Sequence, residues 1–484
     1  MVMTDQFREL LEAATVRPEL TDYLDRQEFG DAELFREMSS GEAVFDHSEG
    51  RWFLWDGLHW KPDLTDQVYG LVGNQLAAEY LGASKEARQR GDKDLSERYS
   101  RRSEQLLNLR RVRNVLELAS KLPRIGIQGS EWDVPVMLLP IANGVIDLSS
   151  GSFRQTVATD YFREYVPSEW HGLDYAAPKW EKLLHEIFGG DQEMIAFFQR
   201  LCGYAVSGDT REQVLPILWG KGSNGKSTIV DVLSGVLGTD FCFTTQSDSL
   251  MDVGRADGNG ARPFVTALRN KRLVWASEGR EGGRLNAGLV KQLTGDGYIT
   301  ARSLYAGPIT FKQTHKIMLV TNHRPRLPDG GDEALWRRVL LVPFSESFVE
   351  DPKRAHEHRR EKGLPAVLQA ETPGILAWLV QGCLEWQAQG LNPPLSVIKS
   401  TARYHDEEDL IGQFVADRLI QQDDLEITAG ALYEGYKAWC DDCGHRAVSS
   451  RTLGQRMAVQ FGESVVKRVD DRPKRVYRGV GLVQ

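Results

Sequence analysis

Gly220-Lys-Gly-Ser-Asn-Gly-Lys-Ser-Thr228 stands between an apolar run, Val214-Leu-Pro-Ile-Leu-Trp219, and an amphipathic one, Ile229-Val-Asp-Val-Leu-Ser-Gly-Val-Leu237. That order predicts strand, glycine loop, helix. From Gly220 to Ser227 it meets the pattern G-x-x-x-x-G-K-[ST] in full. Gly220, Gly222 and Gly225 let the backbone take positive φ and approach an anion with no Cβ in the way. The N–H groups around Ser223, Asn224, Lys226 and Thr228, with the positive end of the helix, then face phosphate oxygens. Lys226 can reach the outer phosphates and the Ser227 hydroxyl can take a Mg²⁺ ligand position.

Outward from the loop, apolar segments alternate with helical ones. Strands are expected at Arg272–Glu278, Lys316–Asn322 and Val339–Phe344, a helix at Leu285–Thr294 and a hairpin at Tyr298–Lys312. Phe241–Ala261, rich in Asp, Gly and Ser, reads as a mobile loop. Such alternation behind a glycine loop implies a mostly parallel, helix-covered sheet. Glu278 ends one strand, where a carboxylate can hold Mg²⁺ or polarise water. Asn322 ends the next and can orient the outer phosphate. Arg337 and Arg338 lie where one subunit could present an arginine to its neighbour's nucleotide.

Before the loop, residues 42–64 read as an aromatic-rich β-hairpin turning at Asp56-Gly57. Trp52, Trp55 and Trp60 there suit a sheet core better than a base-stacking platform. Residues 65–122 read as helical; Arg101, Arg102, Arg110, Arg111 and Arg113 fit a solvated helix face better than a phosphate contact. Leu138–Arg154 reads as a compact β unit. After the core, residues 351–365 are charged and read as a surface insertion or linker. Helices are expected at 366–390 and 395–421. The tail then reads as helix (Ala429–Cys440), helix (Arg451–Phe461) and a hairpin of Val465–Val469 with Arg475–Val483, the order of a winged helix-turn-helix. Between Arg446 and Arg478 nine Lys or Arg face three acids, in a chain whose net charge is −9. A local basic patch on an acidic chain is the footprint of a nucleic-acid contact. Arg451 and Arg456 on the second helix, with Lys467, Arg468, Lys474 and Arg475 on the wing, are the candidates, and Ser449 or Ser450 the helix cap. Cys440-Asp-Asp-Cys443-Gly-His445 has one C-x-x-C and lacks a second ligand pair, so it reads as a helix end capped by Gly444 rather than a zinc site.

The totals set outer bounds. At 484 residues, 41% apolar and 26% charged, the chain is long enough for several cores. No run of about 18 apolar residues is present, so no membrane helix is expected. Five scattered cysteines fit a reducing cytoplasm.

Gly220–Thr228, Arg272–Glu278, Lys291-Gln-Leu-Thr-Gly-Asp296 with Ala301-Arg302, Phe311-Lys312, Thr321-Asn322 and Trp336-Arg337-Arg338 together resemble the successive motifs of the phage and plasmid primase–helicase family. These are superfamily 3 helicases with poxvirus-type relatives. Arg51-Trp52…Trp55-Asp56-Gly57…Trp60…Asp63 and Asn143-Gly144-Val-Ile-Asp147-Leu resemble the domain that precedes the helicase there. The resemblance covers residues 42–345, and the tail fits the family's C-terminal winged helix.

What the resemblance implies is a multidomain α+β and α/β protein. An N-terminal α+β domain (1–175) would precede an AAA+-like P-loop core (176–350), a helical lid or linker (351–424) and a winged helix (425–484). It implies ATP and Mg²⁺ as cofactors and a homo-oligomer, a hexameric ring. It also implies translocation on single-stranded DNA, with unwinding of duplex during replication of a phage or mobile element in the host cytoplasm. Lys226, Ser227, Glu278 and Asn322 would come from one protomer, Arg337 or Arg338 from the next. Lys291, Arg302 and Lys312 would flank a pore hairpin whose tip lies near Leu304–Gly307, unless Arg302 instead pairs with Asp296.

Two departures stand out. Many members end the second motif with adjacent carboxylates; here Ser277-Glu278 supplies one, leaving Glu281 as an alternative general base. Members often carry a primase domain, which the roughly 40 residues before the resemblance cannot hold, so a separate primase is expected. A nucleotide-switched origin-recognition or loading assembly is the competing reading.

Overall fold

The computed structural model describes residues 19–39, 41–252, 263–277, 282–295, 297–302, 307–327, 332–470 and 472–483. The chain is a mixed α/β protein of two compact units. One comprises residues up to Pro135 together with Pro140–Ile146 and Phe153–Tyr165; the other holds the remainder.

In the first unit the expected hairpin is part of a four-stranded sheet of Trp60–Pro62, Arg51–Trp55, Ala43–Asp46 and Gly126–Ile127, in that order. Asp56 Oδ1 accepts the N–H groups of Leu58 (2.9 Å) and His59 (2.7 Å), closing the turn. Trp60 is buried, donates Nε1–H to the Ala158 carbonyl (2.8 Å) and packs beside Trp55 and Trp132. It is core, as its apolar setting requires. The arginines of the helical segment do not all face solvent. Arg102 (2.8 Å) and Arg111 (2.6 Å) converge on the fully buried carboxylate of Asp31, which also accepts the Tyr80 hydroxyl (3.1 Å). Burial pushes the Tyr80 pKa upward. Removing Asp31 would leave two inward-facing guanidiniums without their counter-charge.

The second unit is built on five parallel strands: β1 (Leu215–Trp219), β2 (Cys242–Gln246), β3 (Leu273–Ser277), β4 (Lys316–Thr321) and β5 (Val339–Pro343). Their order across the sheet is β5-β1-β4-β3-β2. Four were expected; β2 falls where the sequence suggested only a loop. It is an edge strand, paired with β3 alone, and its residues alternate in burial. One-sided pairing explains why it lacks the continuous apolar run of its neighbours. A short 3-10 turn, Ser247–Leu250, follows, and residues 253–261 of that expected loop lie outside the described residues.

Two long helices, Gln192–Val206 and Thr372–Gln389, pack together beside the sheet. They cross at glycines. A Cβ on Gly203 would sit 2.1 Å from the Cys383 nitrogen, and one on Gly382 would sit 2.2 Å from the Gln199 carbonyl oxygen. Residues 351–365 are not a bare linker: strands β6 (Ser347–Val349) and β7 (Glu357–Arg359) pair in parallel. At the C-terminal end a helix, Leu410–Arg418, leads into β8 (Leu419–Thr428). Helices Ala429–Asp442 and Ser450–Phe461 follow, then β9 (Val465–Val469) and β10 (Arg472–Leu482) in the sheet order β8-β10-β9. Helix was expected as far as residue 421; the chain turns to strand at Leu419. Gly444 follows the helix end with φ +70°, as a C-terminal cap requires. Among the described residues no helix is long and apolar enough to cross a membrane.

Candidate functional site

The loop after β1 carries positive φ at Gly222 (+102°), Ser223 (+50°) and Gly225 (+84°), and the helix Lys226–Phe241 starts directly from it. A Cβ on Gly220 would meet the Phe344 carbonyl oxygen at 2.4 Å, and one on Gly225 would strike Ile187 at 2.6 Å. Backbone path and packing both demand glycine at Gly225; Gly222 is required by its φ alone, and Gly220, which does not take the expected positive φ, by packing alone.

Lys226 is buried. Its ammonium donates to the Gly220 carbonyl (2.8 Å), Asn224 Oδ1 (2.9 Å) and Asn322 Oδ1 (3.1 Å). Asn322 directly follows β4, which pairs with β1, so two adjacent parallel strands end at the same place. Carboxyl ends of such strands are where open α/β sheets place their ligands. Burial among neutral acceptors lowers the Lys226 pKa to about 8.

Two cavities meet at Lys226 and Ser227. One, of about 410 Å³, runs from Gly222–Thr228 and Asn322 to Leu183, Phe348, Arg360 and Leu364. The other, of about 540 Å³, is bordered by Asp231, Thr244, Ser277, Asn322 and His323. A long polyanion laid across the loop would reach into both. Mg²⁺ at a phosphate site takes one or two protein ligands beside phosphate and water oxygens. The Ser227 hydroxyl and the Asp231 carboxylate, one helical turn apart, suit that demand. Glu278 and Glu281 lie outside the described residues, as does Asp296.

Arg337 and Arg338 stand at the other end of the sheet. The Leu215 N–H donates to the Arg338 carbonyl (2.6 Å) at the start of β1. The glycine loop follows the strand's far end, about 16 Å away at strand rise. Arg338 is half-buried and donates to the Ala334 carbonyl (2.5 Å) and Gln213 Oε1 (3.2 Å). Arg337 is exposed and makes no ion pair among the described residues.

The expected hairpin is present: Tyr298–Arg302 pairs antiparallel with Pro308–Lys312, Tyr298 opposite Lys312. Ile299, Ala301 and Phe311 face the core, and Thr300, Arg302 and Lys312 face out. Its tip, residues 303–306, lies outside the described residues. Tyr298, 75% exposed opposite Lys312, adds an aromatic that the sequence reading passed over as a strand start. Lys291 is engaged by Asp332 (2.9 Å).

The C-terminal basic residues divide. Arg456 bonds to Asp409 (3.0 Å), Lys467 to Glu426 (2.5 Å) and Lys474 to Asp470 (3.0 Å). Arg451, Arg468 and Arg475 are exposed and make no ion pair among the described residues. Ser449 caps the helix of Arg451, accepting the Thr452 N–H (3.1 Å).

Phe348, Arg360 and Asp231 are the site residues that sequence reasoning missed. Asp231 had a signal in its spacing from Ser227 on one helix. The other two sit in the charged segment after β5 and reach the loop only through tertiary folding.

Three family models match the chain: D5 N terminal like over residues 32–189, a family of unknown function over 218–338, and poxvirus D5 protein-like over 406–478. A protein of Acanthamoeba polyphaga mimivirus named "Putative helicase" is 26% identical over 318 residues, covering 62% of this chain and 33% of its own length. "Putative helicase 022R" of Frog virus 3 is 28% identical over 297 residues, covering 58% and 30%. "Primase D5" of Fowlpox virus is 26% identical over 271 residues, covering 52% and 33%. The chain thus spans about a third of the length of these curated relatives. Among solved structures, the apo C-terminal region of NrS-1 aligns over 94% of this chain and 100% of its own, with a TM-score of 0.46 and 11% identity.

Proposed function

We propose that this chain, which carries the D5 N-terminal-like and poxvirus D5-like domains of the viral primase–helicase family, is an ATP-driven, ring-forming DNA helicase of replication. The observation that carries the proposal is the placement of charge on the five-stranded sheet. Lys226 and Asn322 meet at the carboxyl ends of β1 and β4, while Arg337 is exposed at the opposite end. An arginine about 16 Å from its own loop serves a nucleotide only if a second copy brings it there. A closed ring gives every site such a neighbour.

In this reading ATP spans the two cavities at Lys226 and Ser227. The loop N–H groups and Lys226 would bind the phosphates, and Ser227 with Glu278 would hold Mg²⁺, Asp231 bordering the same cavity. Glu278 also polarises the attacking water, Asn322 orients it, and Arg337 of the neighbour stabilises charge on the transferred phosphoryl group. The strand order β5-β1-β4-β3-β2 is that of an AAA+-like core and supports this reading. Helix, strand, two helices and two strands in the order β8-β10-β9 suit a winged helix-turn-helix. Arg451, Arg468 and Arg475 there would meet duplex phosphates. The hairpin, with Tyr298, Arg302 and Lys312 outward, would grip the translocated strand. A separate primase would complete the replication machinery.

Mixing tests the shared site. Lys226→Ala and Arg337→Ala chains, each inactive alone, should regain DNA-stimulated ATP hydrolysis when combined, because mixed rings hold some sites with both residues intact. No recovery at any ratio would count against a site built by two subunits.

A further inference from the structure

The segment after β5 is tied to the glycine loop itself. The Phe348 N–H donates to the Ser223 carbonyl (2.6 Å), and the Phe348 ring lies 3.5 Å from where a Gly225 Cβ would stand. β6 and β7 are pinned by their register, by Glu346 to His358 (3.0 Å) and by the Arg360 N–H to the Val349 carbonyl (2.8 Å). The strap therefore delivers the Arg360 side chain to a fixed point at the rim of the cavity that holds Gly222–Thr228.

At that point the guanidinium is under-used. Its Nη2 donates to the Phe348 carbonyl (3.2 Å) and, at 3.4 Å, to the Ser223 hydroxyl. Nε and Nη1 make no hydrogen bond among the described residues. Glu361 borders the same cavity yet forms no ion pair with Arg360. A guanidinium has five N–H donors in a planar fork that matches phosphate oxygens two at a time. Set beside Ser223, it faces the space a polyphosphate on the loop would fill.

Resting on the triphosphate reading of the loop, we propose that Arg360 is a phosphate ligand of the bound nucleotide, supplied by the same subunit as Lys226. The site then takes one arginine from its own chain and one, Arg337, from its neighbour. Arg360 ends the strap that leads into the helix Leu364–Ala370, whose Leu364 and Pro365 border the same cavity.

The test is competition against a fluorescent N-methylanthraniloyl ATP on the 484-residue chain, with tripolyphosphate and with adenosine as competitors. Arg360→Gln keeps a donor for the Phe348 carbonyl and removes the charge. It should weaken tripolyphosphate about tenfold and leave adenosine unchanged, with Arg360→Lys recovering part of the loss. Unchanged tripolyphosphate competition in Arg360→Gln would overturn the assignment. So would an equal loss for both competitors, which marks a strap that has merely come loose. If Lys226→Ala binds the fluorescent nucleotide as well as the parent chain, the triphosphate reading itself is at fault, and the Arg360 assignment falls with it.

Discussion

Lys226 holds its charge in a poor place. With neutral oxygens around it and a pKa lowered to about 8, it loses its proton as pH rises past that value. A polyphosphate favours the charged form, so nucleotide binding should take up a proton above pH 8. Affinity for ATP should fall with pH there, by up to about tenfold per unit. Calorimetry in buffers of different ionisation enthalpy between pH 7 and 9.5 measures the proton uptake, and a pH-independent affinity would refute it. The sign for folding is opposite. The unfolded lysine, near 10.5, binds the proton that the folded one has shed, so stability gains from this group between about pH 8 and 10.5.

The two adjacent arginines separate at the same scale. Arg337→Ala should cut ATP turnover on the order of 10³-fold with little change in thermal midpoint. Arg338→Ala should act through stability, because it strips the bonds to Ala334 and Gln213. Turnover and melting measured on both variants decide which is which. The sequence placed both arginines beside each other before β5 and had no means to rank them; exposure and partners do. It could pair Lys226 with Asn322, because each follows an apolar strand at a recognisable motif. Arg360 was out of reach, since nothing local in 351–365 says which charged residue folds back on the loop.

Elements were legible where burial is two-sided. β1, β3, β4 and β5 are continuous apolar runs, and each lies within one residue or so of its expected bounds. Two of the strands that escaped have their pairing supplied from afar. β2 pairs only with β3, and β8, with its Gln, Asp and Glu, is held by β10 some fifty residues on. Strand propensity in such segments is a property of the partner. The glycine crossing of Gln192–Val206 with Thr372–Gln389 makes an element-scale prediction. Gly203→Ala raises helix propensity yet drives a Cβ into backbone, so it should cost about 1–3 kcal/mol, read by urea or thermal unfolding. A stabilised variant would mean the helices do not cross there.

The C-terminal lobe gives another. Counting charge found the basic tail but could not tell paired cations from available ones. Arg451→Ala should weaken duplex binding and lower its salt slope by about one. Arg456→Ala should leave DNA affinity nearly intact and destabilise the lobe by about 1 kcal/mol, since it releases Asp409, which also caps the helix Leu410–Arg418. Salt titrations of both variants on one duplex compare them directly, and the reverse pattern would reassign the DNA-facing surface.

At the scale of the molecule, the first unit is held by an aromatic core and by Asp31 clamped between Arg102 and Arg111. The second joins a sheet, whose β1 and β4 end at the cavities around Lys226, to a lobe with exposed basic residues. Whether those parts add up to a motor is decided by moving a strand. Strand displacement by the 484-residue chain with ATP, run beside Lys226→Ala, is the direct measurement. A ring helicase should release the displaced strand in an ATP-dependent manner, and Lys226→Ala should release none. ATP hydrolysis stimulated by single-stranded DNA without any displacement would contradict it and leave a nucleotide-switched DNA-binding assembly in its place.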